Sequence, residues 1–203
     1  MKRRCDRTCG SYHTTCCWAA GSAGQAFVEN PPVPLHQVAA VVNLDRGNVW
    51  GSTSDVIMLG AAQSELERFA TAAAEREHMR PLPESRDGTA FFYRADHLPF
   101  AQSGVPVLAL QQGSQFLDRA SGWGPEQERQ YLISRYHRAS DEFTADFVFG
   151  GLLQQVRLAV RLSWMLGTTD AFPSWTPSSE FKAAGEQQRI RRLRDSGRST
   201  DRR

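Results

Sequence analysis

The chain has 203 residues, 40% of them apolar and 23% charged, which is enough apolar material to bury a core and too much for wholesale disorder. Its formal net charge of +2 is uneven: residues 1–7 carry +3 and residues 186–203 carry +4, leaving −5 for the body between them. No stretch approaches the length of a membrane span, and neither basic end holds an aromatic residue to stack on bases, so membrane and nucleic acid are both poor candidates for partners.

All four cysteines, Cys5, Cys9, Cys16 and Cys17, fall in the first seventeen residues, at spacings that suit neither a zinc knuckle nor an even disulfide framework. The basic residues 1–4 are followed by polar, broken sequence (CDRTCGSYHTTCCW), so no export signal is legible. Residues 38–44, VAAVVNL, are continuously apolar and β-branched, as in a strand covered on both faces. Asp45 follows at its C-terminal end, the end that faces the functional crevice in open α/β sheets.

After the loop RGNVWGSTS, residues 55–59 predict a second strand. Ser64 and Glu67 have capping-box spacing, and Leu66, Phe69 and Ala73 recur at helical intervals through a charged segment ending near His78. PLPESRDG reads as a loop, residues 90–93 as an aromatic strand end, and residues 105–110, VPVLAL, as another buried strand. Residues 113–126 lack periodicity and predict a loop near the crevice.

From near Asp146 a long helix is expected across the sheet, with Leu152, Val156, Ala159, Leu162 and Leu166 on one face and Gly167 at the stop. DAFPSWTPSSEF reads as an ordered wrap, since Phe172, Trp175 and Phe181 need surfaces to cover them. Residues 186–203 predict a basic, flexible, frayed tail. Alternating strands and helices define an α/β fold, with a mixed, mainly parallel central sheet flanked by helices.

Three places could carry chemistry: Asp45, the pair Asp96 and His97, and the pair Tyr136 and His137. Carboxylate and imidazole together suit zinc, whose catalytic sites use oxygen and nitrogen donors. Each also has a structural explanation: Asp45 as a turn cap, His97 as a satisfied core histidine, His137 as a surface residue.

Several blocks in order, ENPPVPLHQVAAVVNLD, NVWGSTSDVIMLG, FFYRADHLPFAQSGVPVLAL, YHRASDEF and PSWTPSSEFKA, resemble the C-terminal part of metallopeptidase family twenty-eight, the co-catalytic di-zinc aminopeptidases. The resemblance covers about residues 25–184 and implies a zinc exopeptidase-like α/β fold, two zinc ions and a peptide substrate. It implies that Asp45 ligates one zinc and His137 the other, that Tyr136 meets the tetrahedral intermediate, and that Asp96 and His97 sit behind the ligands or on the substrate side. Intact relatives are often exported.

Upstream, such proteins carry a histidine two residues before an aspartate, a bridging aspartate and a Glu-Glu pair that supplies the general base. Before Asp45 this chain has only Asp6 and Glu29 as acids, so no general base is visible. Residues 1–24 therefore read as foreign to the family, residues 25–185 as the C-terminal part of a catalytic domain, and residues 186–203 as the tail. A truncated chain, inactive alone, is expected, with an exposed sheet edge and uncovered apolar surface. The alternatives are a non-catalytic interaction protein that retains the fold, and cyclase-like acyl transfer on N-terminal glutamine.

Overall fold

The computed structural model describes residues 22–82, 91–170 and 172–200. The cysteine-bearing segment and most of the loop PLPESRDG lie outside the described residues. In chain order the elements are α1 (Ser22–Glu29), β1 (Val41–Asn43), β2 (Asp55–Leu59), α2 (Leu66–Arg76), β3 (Arg80–Leu82), α3 (Leu98–Gln102), β4 (Val107–Gln112), α4 (Trp123–Ser134), α5 (Gly150–Thr168) and α6 (Lys182–Thr200).

The four strands form one sheet in the order β1-β4-β2-β3. β1 runs parallel to β4 with Val41 opposite Val107, and β2 runs parallel to β3 with Asp55 opposite Arg80. β2 and β4 are antiparallel, Leu59 facing Ala109. The sheet is thus mixed and mainly parallel, as expected, and its helices bury both faces. In β4 the pleat sends Leu108 and Leu110 to one face, against Leu66, Ala70 and Ala73 of α2 and Leu158 and Leu162 of α5. It sends Val107 and Ala109 to the other, against Phe92, Ala101, Trp175 and Phe181.

Several expectations are corrected. The first strand is only Val41–Asn43, because β4 offers it just three partners. The fourth begins at Val107: Val105 N–H is committed to the Phe100 carbonyl, and the strand continues through Gln111 and Gln112, which pair with Ile57 and Val56. Phe91 and Phe92 are helical rather than extended. Ser64 does not close a capping box; its Oγ accepts from Leu66 N–H at 3.2 Å.

Helix α4 occupies sequence read as loop at its start and unassigned beyond, and α5 begins at Gly150 rather than near Asp146. The buried face of α5 is Gly151, Gln155, Leu158, Leu162 and Leu166, so Val156 points to solvent and the helix sits rotated from the expected face. Gly167 does not stop it; the helix ends at Thr168, where Thr169 is extended.

The basic C-terminal segment is helical through residue 200 rather than a flexible tail there: α6 docks through Gln188 Nε2 to the Ser103 carbonyl at 2.6 Å and Arg192 Nε to the His36 carbonyl at 2.7 Å. His36 Nε2 lies 2.7 Å from the Asp195 carboxylate. The wrap before it is ordered, with Trp175 Nε1 donating to the Gly104 carbonyl at 3.0 Å and Arg192 lying 3.5 Å from the Phe172 ring centre.

Candidate functional site

Parallel pairing puts the C-terminal ends of β1 and β4 at one edge of the sheet, and antiparallel pairing adds the N-terminal end of β2. A cavity of 480 Å³ opens there, its wall including Asp45, Arg46, Trp50, Gln112, Tyr131 and Asp141. Asp45, two residues past the end of β1, is exposed on this wall.

The loop after β1 is held from below by α5. Buried Gln155 accepts the Asn48 N–H at 2.7 Å through Oε1, while its Nε2 donates to the Arg46 carbonyl at 3.4 Å. Asn48 Nδ2 in turn donates to the Gly51 carbonyl at 2.7 Å. The buried Asp55 carboxylate anchors the opposite loop, accepting from Gln115 N–H at 2.9 Å and Ser114 Oγ at 3.2 Å.

Arg46 organises the rim. Its guanidinium donates to Glu128 at 2.7 Å, and Gln112 Nε2 donates to the other oxygen of the same carboxylate at 3.1 Å. It also lies 5.6 Å from the ring centre of Phe91 and 5.9 Å from those of Tyr131 and Tyr136. Tyr131 packs edge-on against Trp50 at 5.5 Å and donates its hydroxyl to Asp141 at 2.8 Å. Burial, reinforced by that carboxylate, pushes the Tyr131 phenol up to about 12, so it remains a neutral donor.

Tyr136 and His137 stand next to this rim rather than in the cavity wall. Their rings stack at 3.9 Å and 23°, and His137 is exposed with a left-handed backbone, φ 58°. The structure thus brings Asp45, Tyr136 and His137 to one side of the molecule through Arg46. It does not bring them together with a third donor: among the described residues no three His, Cys, Asp or Glu side chains converge where a metal ion could sit. The donors present do not by themselves fit a zinc centre.

Asp96 is half-buried and His97 is buried at the end of β1. His97 is buried against Phe92 at 4.7 Å, and its Nδ1 lies 3.1 Å from the side-chain nitrogen of Asn43, the last residue of β1. Burial pushes the imidazole down to about 4, against the weaker pull of the Phe92 backbone and the Asp96 charge, so the ring is neutral near pH 7. Sequence reading missed Arg46, Glu128, Tyr131 and Asp141. Arg46 could have been noticed as the cation directly after the crevice carboxylate; the other three sit in or beyond a helix with no apolar periodicity.

An open α/β sheet with a polar crevice at its strand ends is the usual setting of a binding or active site. The model of peptidase family M28 matches residues 18–158, more than half of the chain, and the chain belongs to that family. No curated protein matches it. Membership makes it a metallopeptidase by class, a hydrolase in proteolysis with peptides as the substrate class, in a family generally dependent on zinc. Among the described residues no helix is long and apolar enough to cross a membrane.

Proposed function

We propose that the chain is the C-terminal part of a zinc aminopeptidase, one that releases N-terminal residues from peptides, and that alone it is inactive. The observation that carries this reading is the placement of Arg46, which ties the Asp45 strand end to Tyr136 and thence to His137. In this reading Asp45 and His137 each offer one metal donor, and the remaining donors and the general base come from outside the described residues. The Tyr136 phenol offers an O–H to the developing oxyanion, and His97 holds the end of the strand that carries Asp45.

Residues 25–185 then supply the C-terminal wall of the family site. One observation favours a second reading, a non-catalytic interaction protein on the same fold: no three metal donors converge among the described residues.

The test is hydrolysis of aminoacyl anilides by the purified chain with added zinc, alongside calorimetric zinc titration. The expected result is no turnover above buffer and weak zinc binding that disappears in Asp45→Asn and His137→Ala. Turnover that falls on Tyr136→Phe would show the chain to be a complete enzyme. Zinc binding unchanged in both variants would remove Asp45 and His137 from the site.

A further inference from the structure

Helix α5 is apolar on two sides. Its sheet-facing side is buried, and Arg157, Arg161 and Gln154 occupy a narrow polar strip. The remaining side carries Phe149 at the N-cap, then Leu153, Val156, Val160 and Trp164, exposed by 52, 51, 42, 64 and 73%. These positions recur at intervals of four, three, four and four, so they form one straight stripe roughly 22 Å long at 1.5 Å per residue. A helix apolar on nearly all sides belongs between two layers, and among the described residues only the sheet side is covered.

From these side chains we infer that the stripe is the contact between two copies of this chain, packed antiparallel about a two-fold axis. The stripe is self-complementary when reversed. With the axis between Val156 and Arg157, Trp164 faces Phe149 of the second copy and Val160 faces its Leu153, while at the centre Val156 meets the aliphatic stem of Arg157, whose guanidinium reaches out to solvent at the edge. Such self-matching is what an isologous interface requires. The exposed part of the stripe amounts to roughly 500 Å² per copy, and two together reach the ~1,000 Å² that a specific interface must clear.

The face continues toward the cavity. Phe149 lies 6.2 Å from Phe147, which lines the cavity wall, and Phe147 lies 5.4 Å from exposed Phe143. A second copy seated on the stripe therefore borders the open side of the candidate site.

Sedimentation of the full chain at micromolar concentration tests this. The wild-type chain should sediment at twice its 22.7 kDa, and Val160→Lys and Leu153→Glu should each sediment as monomers with unchanged circular dichroism. Mixing the two variants should restore the dimer, because the new lysine of one meets the new glutamate of the other. A monomeric wild-type chain overturns the proposal, whether it stays free or binds phosphatidylcholine vesicles, since the stripe then serves another partner or a membrane surface. A wild-type dimer that survives both substitutions also overturns it, and failure of the mixture to recover rules out this antiparallel register.

Discussion

The side-chain amide of Asn43 donates to Nδ1 of His97 across 3.1 Å, joining the end of an edge strand to a buried imidazole. An amide nitrogen can only donate, so Nδ1 is the acceptor and the ring proton resides on Nε2. Protonating the ring would place a second N–H against the Asn43 donor.

This arrangement makes stability pH-dependent with a definite sign. In the unfolded chain the imidazole titrates at its ordinary 6.5, and in the folded chain at about 4. The unfolded state therefore binds the proton first as pH falls. The stability tied to the neutral ring is complete above 6.5, declines from there, and is lost by about pH 4, a change on the order of 3 kcal/mol. Urea unfolding at pH 7 and pH 4.5 should show this decline, and His97→Gln should flatten it. An equal decline in the variant would assign it to other groups.

Gln155 is the next point of failure. Its side chain is 1% exposed and satisfies the N–H of Asn48, itself 1% exposed, so Gln155→Leu leaves a buried donor unpaired. The expected cost is about 1–3 kcal/mol in thermal or urea unfolding. Hydrogen exchange should accelerate first at the Asn48 amide, since that bond ties the crevice loop to α5. Exchange there at the wild-type rate would mean that the loop is held elsewhere.

Three glycines separate backbone strain from steric conflict. Gly104 has φ 89°, and a Cβ there would meet the Ala184 carbonyl at 2.4 Å; Gly122 has φ 86° with open space around it; Gly167 has open space and sits within α5. Gly122→Ala should cost about 1–2 kcal/mol from left-handed backbone alone. Gly104→Ala should cost more and loosen α6, whereas Gly167→Ala should be neutral or stabilising by up to about 1 kcal/mol. Melting temperatures of the three variants check the order.

What the sequence disclosed follows the physics of each segment. Residues 55–59 and the helix from Leu66 carry their burial in their own pattern, and both formed as expected. Helix α4 buries only Gly124, so there was no apolar period to read. Helix α6 looked like a solvated tail because its docking depends on Gln188, Arg192 and Asp195, polar residues whose partners, Ser103 and His36, are far away in sequence. The expected face of α5 was wrong because the helix is apolar on two sides, and periodicity alone cannot say which side meets the sheet. The position of Asp45 on the cavity wall was legible from the apolar run that precedes it. The Arg46–Glu128 pair, 82 residues apart, was not.

Tyr131 gives the site its own spectroscopic signal. The chain has four tyrosines, and burial together with the Asp141 carboxylate holds the Tyr131 phenol at about 12. Arg46, whose charge favours the phenolate, opposes that shift less strongly. Alkaline titration followed by tyrosinate absorbance should therefore show a late step that is missing in Tyr131→Phe. Asp141→Asn keeps a hydrogen-bond acceptor but removes the charge, so the late step should move to lower pH. Arg46→Gln should move it higher, because the group that stabilises the phenolate is gone. If neither substitution moves the step, Asp141 and Arg46 do not flank Tyr131 in solution, and the rim that connects Asp45 to Tyr136 loses its central ring.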